Sequence, residues 1–133
     1  MEIENEGLIN REKKGGDQLS DKGLAEFHLS LISRIIDMRR YPFTRLIMER
    51  NITNPEYKEL MKLLEDLDDK YHTQRKEGLL DFSSLLIQFA GMLNEKLEPT
   101  ETIYALNQEE IHKELMSEFM KIIQQEENKN KRR

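Results

Sequence analysis

Two short spacings in this chain could bring metal-binding or acid–base groups together. Glu109 and His112 are three residues apart, and so are Asp69 and His72. On a helix, that spacing puts both side chains on one face. Helical bundles that hold paired metal ions use such Glu-x-x-His pairs, with further glutamates from two other helices. The surroundings argue against this chemistry. Asp69 and His72 fall among Asp68, Lys70 and Thr73, on the polar side of their helix. Glu109 opens a charged turn, and the apolar stretch Phe82–Leu93 offers no supporting glutamate. His28 stands on the apolar side of a different helix. A histidine bonded to a nearby acceptor is the plain reading there, and a pH sensor or ligand is the sharper one.

Nucleophilic and phosphate chemistry find less support. Ser83 and Ser84 sit at a helix start, where hydroxyls cap, and no Gly-x-Ser-x-Gly elbow surrounds them. Gly15-Gly16 lacks the Lys-Ser/Thr and the strand that a phosphate-cradling loop requires. Arg34, Arg39, Arg40, Arg45 and Arg50, with Tyr41 and Phe43 between them, form the one locally basic cluster. It could grip a phosphate or an acidic partner. Asp37 and Glu49 intersperse it, however, which favours a solvated face. No catalytic or cofactor-binding residue emerges and no cofactor is implied, so the reading leans against an enzyme.

Composition narrows the classes further. Residues 1–23 hold five hydrophobic residues and the last ten hold none, so the apolar content of the chain lies between them. The first 23 residues carry six acids against four bases and the last ten carry two against four, which leaves the middle at −5. An acidic middle argues against a dedicated nucleic-acid binder, which shows a basic face. The KNKRR end reads as a small solvated tail. With no cysteine, disulfides, thiolate zinc sites and thiol nucleophiles are all excluded, which is compatible with a reducing cytosol. MEIENEGLINREKK is polar and acidic, neither signal peptide nor membrane span. A cytoplasmic protein is expected.

Hydrophobic periodicity predicts helices throughout and no strand. Residues 1–20 read as a flexible extension, 21–125 as one helical domain, and 126–133 as a charged tail. The first helix is expected over Asp21–Arg40, with Leu24, Phe27, Leu31, Ile35 and Met38 on one stripe and Ile32 and Ile36 widening it. Pro42 starts a second, to about Arg50. Thr53 or Asn54 caps a third with Glu56 as capping-box partner, ending near Glu77 with Gly78 as left-handed terminator. Along it Tyr57, Leu60, Leu64, Leu67 and Tyr71 follow a 3-4-3-4 spacing, the seam of coiled-coil-like packing. That seam suits either the core of one bundle or a shared subunit face. Asp81 is placed to cap a short helix over Phe82–Leu93, apolar on nearly every side through Phe82, Leu86 and Phe89 among others. Such a helix is expected at the centre of a domain or between subunits. A second short helix follows over Thr102–Asn107, and a last one over Glu109–Gln125. The expected fold is all-α, a compact bundle of five or six helices with flexible N- and C-terminal tails.

Five segments come in a recognisable order: Arg40-Tyr41-Pro42-Phe43, Asp81-Phe82, Phe89 through Leu97, Glu101-Thr102-Ile103-Tyr104-Ala105-Leu106, and Glu114-Leu115-Met116. Together, over about Leu24 to Ile123, they resemble the YhaI-like family, small helical proteins of Bacillus and related bacteria classed as a domain of unknown function. The resemblance implies a multihelical, self-associating cytoplasmic protein and supplies no catalytic residues. The chain departs from it by its glycine-containing N-terminal extension. It also has Gln108-Glu109 where the family usually has Gln-Gly, which removes an easy left-handed turn. The last two helices are therefore expected either to be joined by a different bend or to merge. The function these observations favour is a non-enzymatic interaction protein that self-associates, with an unidentified protein partner and no membrane. The alternatives are a regulatory binder of nucleic acid or a small anion through the Arg34–Arg50 region and, more remotely, a helical-bundle metal enzyme.

Overall fold

A computed structural model describes residues 15–131. It contains six α-helices and one 3₁₀ turn, with no strand among the described residues. The chain divides after Asp37 into two compact units. The expected flexible tails lie partly outside the described residues: 1–14 at one end, 132–133 at the other.

The first unit contributes α1 (Gly15–Ile35). This helix both starts and ends earlier than the sequence suggests: it begins at Gly15 and not Asp21, so residues 15–20 of the expected flexible extension are helical, and Met38–Arg40 form a separate 3₁₀ turn at the start of the second unit. Asp37 lies just past the helix end, where a carboxylate opposes the helix dipole. Leu24, Phe27, Leu31 and Ile35 recur at helical spacing as expected. They are exposed, Phe27 at 56% and Ile35 at 82%.

The second unit holds α2 (Pro42–Glu49), α3 (Asn54–Lys76), α4 (Ser83–Met92), α5 (Pro99–Gln108) and α6 (Lys113–Lys131). Within it α5 packs against α6 and α2, and α3 packs against α4. Thr53 caps α3 with a complete capping box: its hydroxyl accepts from the Glu56 amide and the Glu56 carboxylate accepts from the Thr53 amide. α6 continues to Lys131, beyond the expected end near Gln125. No breaker interrupts it, Glu126 lies 3.7 Å from Lys129, and the lysines of its last turn complement the dipole.

Three helices of this unit end in the same way. After α2, α3 and α5 the chain turns through a left-handed residue, Asn51 (φ 55°), Gly78 (φ 87°) and Glu110 (φ 63°). In each case the next amide reaches back to a carbonyl five residues earlier: Ile52 to Ile47, Leu79 to Gln74 and Ile111 to Leu106. This is the Schellman motif, which satisfies carbonyls that a helix end otherwise orphans. Glycine takes the left-handed region freely and asparagine takes it readily. Glu110 has neither advantage, and its conformation costs about 1–2 kcal/mol relative to the right-handed region. The missing glycine therefore does not merge α5 with α6: the chain turns at Glu110, one residue after Glu109.

The centre of the bundle is also not the expected one. α4 is apolar almost all round, yet it buries only Leu85 and Phe89, aided by Phe82 just before it. Leu86 is half-buried, and Ile87 and Met92 are 71% and 62% exposed. The interior position belongs to α5, whose Thr102, Ile103, Ala105 and Leu106 are all buried. α5 starts at Pro99, with Glu98 as N-cap, so Thr102 lies inside the helix instead of beginning it. Its buried hydroxyl donates to the Glu98 carbonyl at 2.7 Å, so the core carries no unmet donor there. Four residues of the α3 seam, Leu60, Leu64, Leu67 and Tyr71, are buried within this unit's own core, while Tyr57 is 37% exposed. Around them Tyr71 meets Phe82 edge-on at 4.8 Å, and Phe89 lies 5.9 Å from Phe119.

Candidate functional site

Polar side chains in the bundle tie helix ends together. At one end, the α2–α3 turn meets the α4–α5 turn. Arg50 donates to Glu101 Oε1 at 2.8 Å and to the Lys96 carbonyl at 3.4 Å. Lys96 Nζ donates to the Asn51 carbonyl at 3.1 Å and to Glu56 Oε1 at 2.8 Å. Glu56 thus serves twice, as capping-box carboxylate for α3 and as anchor for Lys96. The Lys96 ammonium, the Thr53 backbone amide and the Asn94 side chain hold its carboxyl down at about 2, from an ordinary 4.5.

That depression fixes the sign of an acid response. A carboxyl whose folded-state pKa lies below its unfolded value adds stability that is fully present above the unfolded value, near pH 4.5, and is lost as pH falls towards about 2. Glu56→Gln is therefore expected to shallow the loss of stability between these pH values, read as urea midpoints at several acidic pH values. An acid limb as steep as that of the parent chain would show that Glu56 does not contribute to it.

The residues considered for metal chemistry are drawn into different tasks. The Glu109 carboxylate accepts from the Thr44 amide at 2.7 Å and from its hydroxyl at 3.0 Å. Thr44 lies in the first turn of α2, whose N-cap residue, Tyr41, supplies no side-chain cap. Glu109 thus caps α2 from the end of α5. His72 and His112 do approach one another's surroundings, but around Asp68 and not Asp69. Asp68 Oδ2 lies 3.4 Å from His72 Nε2 and 3.6 Å from His112 Nδ1. The signal available in the sequence was the Asp68–His72 spacing of four, a helical neighbour pair. Nothing local announced His112, which reaches α3 from the left-handed turn before α6, at φ 48°. Asp69 lines the groove described below. Among the described residues no group of three or more histidines, aspartates and glutamates is arranged to hold a metal ion. His28 lies on α1, in the other unit.

The arginines are distributed similarly. Arg34 belongs to α1, and Arg39 and Arg40 to the 3₁₀ turn. Arg45 pairs with Glu49 at 3.6 Å and Arg50 with Glu101 at 2.8 Å. Elsewhere Arg75 at the end of α3 pairs with Glu114 of α6 at 3.3 Å, and that carboxylate raises its pKa above the ordinary value. α4 starts one residue later than expected, at Ser83, with Phe82 as N-cap residue, and Asp81 accepts from the Ser83 amide and hydroxyl; these bonds lower its pKa.

One open groove of about 550 Å³ runs between α3 and α4. Leu60, Leu63 and Leu93 form its floor, while Glu59, Asp66, Asp69, Lys62 and Lys70 stand along its rim. Its lining holds carboxylates, ammonium groups and amides, and no thiol, hydroxyl or imidazole.

Fold and polar network together define a small all-α bundle whose charged side chains cap and clasp helix ends. The chain belongs to the family described as Protein of unknown function (DUF1878), whose model matches residues 20–124. The match takes in the apolar stripe of α1 as well as the bundle. No helix among the described residues is long and apolar enough to cross a membrane.

Proposed function

We propose that this protein is a non-enzymatic interaction protein that self-associates and acts in the cytoplasm as an adaptor or modulator of another protein. The observation that carries this reading is exposed apolar helix surface. Large hydrophobic side chains stand in solvent on α1 and on the outer face of α4, where Ile87 and Met92 are mostly exposed. Contiguous apolar surface of that kind marks interaction sites. The resemblance to the YhaI-like family, which implies self-association, supports the same reading. Light scattering of the full chain across a concentration series tests it. A mass that is a multiple of the chain mass is expected, and the mass of a single chain at every concentration would refute self-association. The anion- or nucleic-acid-binding alternative has less to draw on, because Arg45 and Arg50 are already engaged by carboxylates. Salt-sensitive retention on heparin would favour it.

A further inference from the structure

We infer that α1 is the self-association element, pairing through its apolar stripe with the α1 of a second copy of this chain. The inference rests on the self-association reading above and assigns it to one surface.

The stripe is built for a helical partner. Leu24, His28, Leu31 and Ile35 follow a 4-3-4 spacing, flanked by Phe27 and Ile32. That is the seam of a two-helix coil with its two neighbouring positions filled by large apolar side chains. The opposite face carries Lys22, Glu26, Ser30 and Ser33. Both serines turn their hydroxyls back to their own helix, Ser30 to the Phe27 carbonyl at 2.6 Å and Ser33 to the Ser30 carbonyl at 2.7 Å. The stripe face is thus apolar and the opposite face mostly polar, although Leu29, 57% exposed, stands on it.

Area and charge point to a second copy as the occupant. Leu24, Phe27, Leu31, Ile32 and Ile35 are between 37% and 82% exposed. With Ile36 beside them they present on the order of 600 Å² of apolar surface, near the ~800 Å² per partner of a standard interface. The outer face of α4, with Ile87 and Met92, offers roughly half as much, well short of that interface area. A helix of this length is marginal in water without a covering partner, more so with Gly15, Gly16 and Gly23 in it. From Asp21 to Ile36 the acids Asp21 and Glu26 are balanced by Lys22 and Arg34. An identical helix therefore meets no net repulsion, and no partner of opposite charge is called for.

Two variants of the full chain test the pairing. Leu31 lies at the middle of the stripe and is itself 37% exposed. Leu31→Glu is expected to reduce the mass in light scattering to that of one chain, with the melting of the bundle unchanged. Because the chain has no cysteine, Leu31→Cys gives a single thiol. Near the midpoint of the stripe, that thiol faces its counterpart whether the two helices run parallel or antiparallel. Mild oxidation of Leu31→Cys is expected to cross-link native protein into dimers, and oxidation of Ile87→Cys is not. Should the parent chain assemble while Leu31→Glu keeps its mass and Ile87→Cys alone cross-links, the α1 assignment falls and self-association stands. A single-chain mass for the parent at every concentration would remove both. Unchanged mass with a melting point many degrees lower in Leu31→Glu, and no cross-linking of Leu31→Cys, would show that the stripe is covered within one chain.

Discussion

Leu64→Ala is expected to lower the unfolding free energy by about 2–5 kcal/mol, the range for deleting a fully buried leucine side chain, without changing the mass of the particle. Leu64 is fully buried at the centre of the Tyr57–Tyr71 seam, among Leu60, Leu67 and Tyr71 of the same core. Its spacing alone also suited a shared subunit face. Burial within one chain makes the substitution a cavity, and a close-packed interior relaxes only partly around a cavity. Leu64→Glu places an unpaired charge in the same position and is expected to abolish cooperative folding. Urea unfolding followed by circular dichroism, with light scattering in parallel, measures both effects. A Leu64→Glu chain that kept its melting transition and lost only mass would put the seam between subunits.

What the sequence made legible was local. Thr53 with Glu56, Gly78 and Pro42 each act through neighbours within a few residues, and each lies where periodicity and capping chemistry placed it. The misplaced features depend on which helices meet. α4 is the most apolar helix, yet α5 takes the interior, because composition reports what a helix can bury and not how many neighbours cover it. Thr102 looked like a helix start from its type, but Glu98 supplies the cap one turn earlier. Lys96 lies 40 residues from Glu56 in the chain. No pattern in either segment announces that clasp. Asp68 between His72 and His112 is half local: the α3 pair is readable from its spacing, and the third member arrives only because Glu110 and His112 take left-handed turns.

Glu109→Ala is expected to destabilise the bundle by about 1–2 kcal/mol, the range for loss of a helix N-cap with charged hydrogen bonds. The first turn of α2 leaves amides without intrahelical partners, and Tyr41, at the N-cap, has no side-chain oxygen placed to accept from them. Glu109 fills that gap from α5, with one carboxylate oxygen on the Thr44 amide and the other on its hydroxyl. A negative group at that end is also favoured by the helix dipole. Glu109→Gln should fall between the parent and the alanine variant, because an amide offers one acceptor oxygen where the carboxylate offers two. Thr44→Val removes the hydroxyl donor and leaves the amide, so combining it with Glu109→Ala should cost less than the two separate effects added together. Denaturant unfolding of the four chains gives that coupling. If the effects simply add, the Thr44 hydroxyl is not bonded to Glu109 in solution; an unchanged stability of Glu109→Ala would show that α2 is not capped by it.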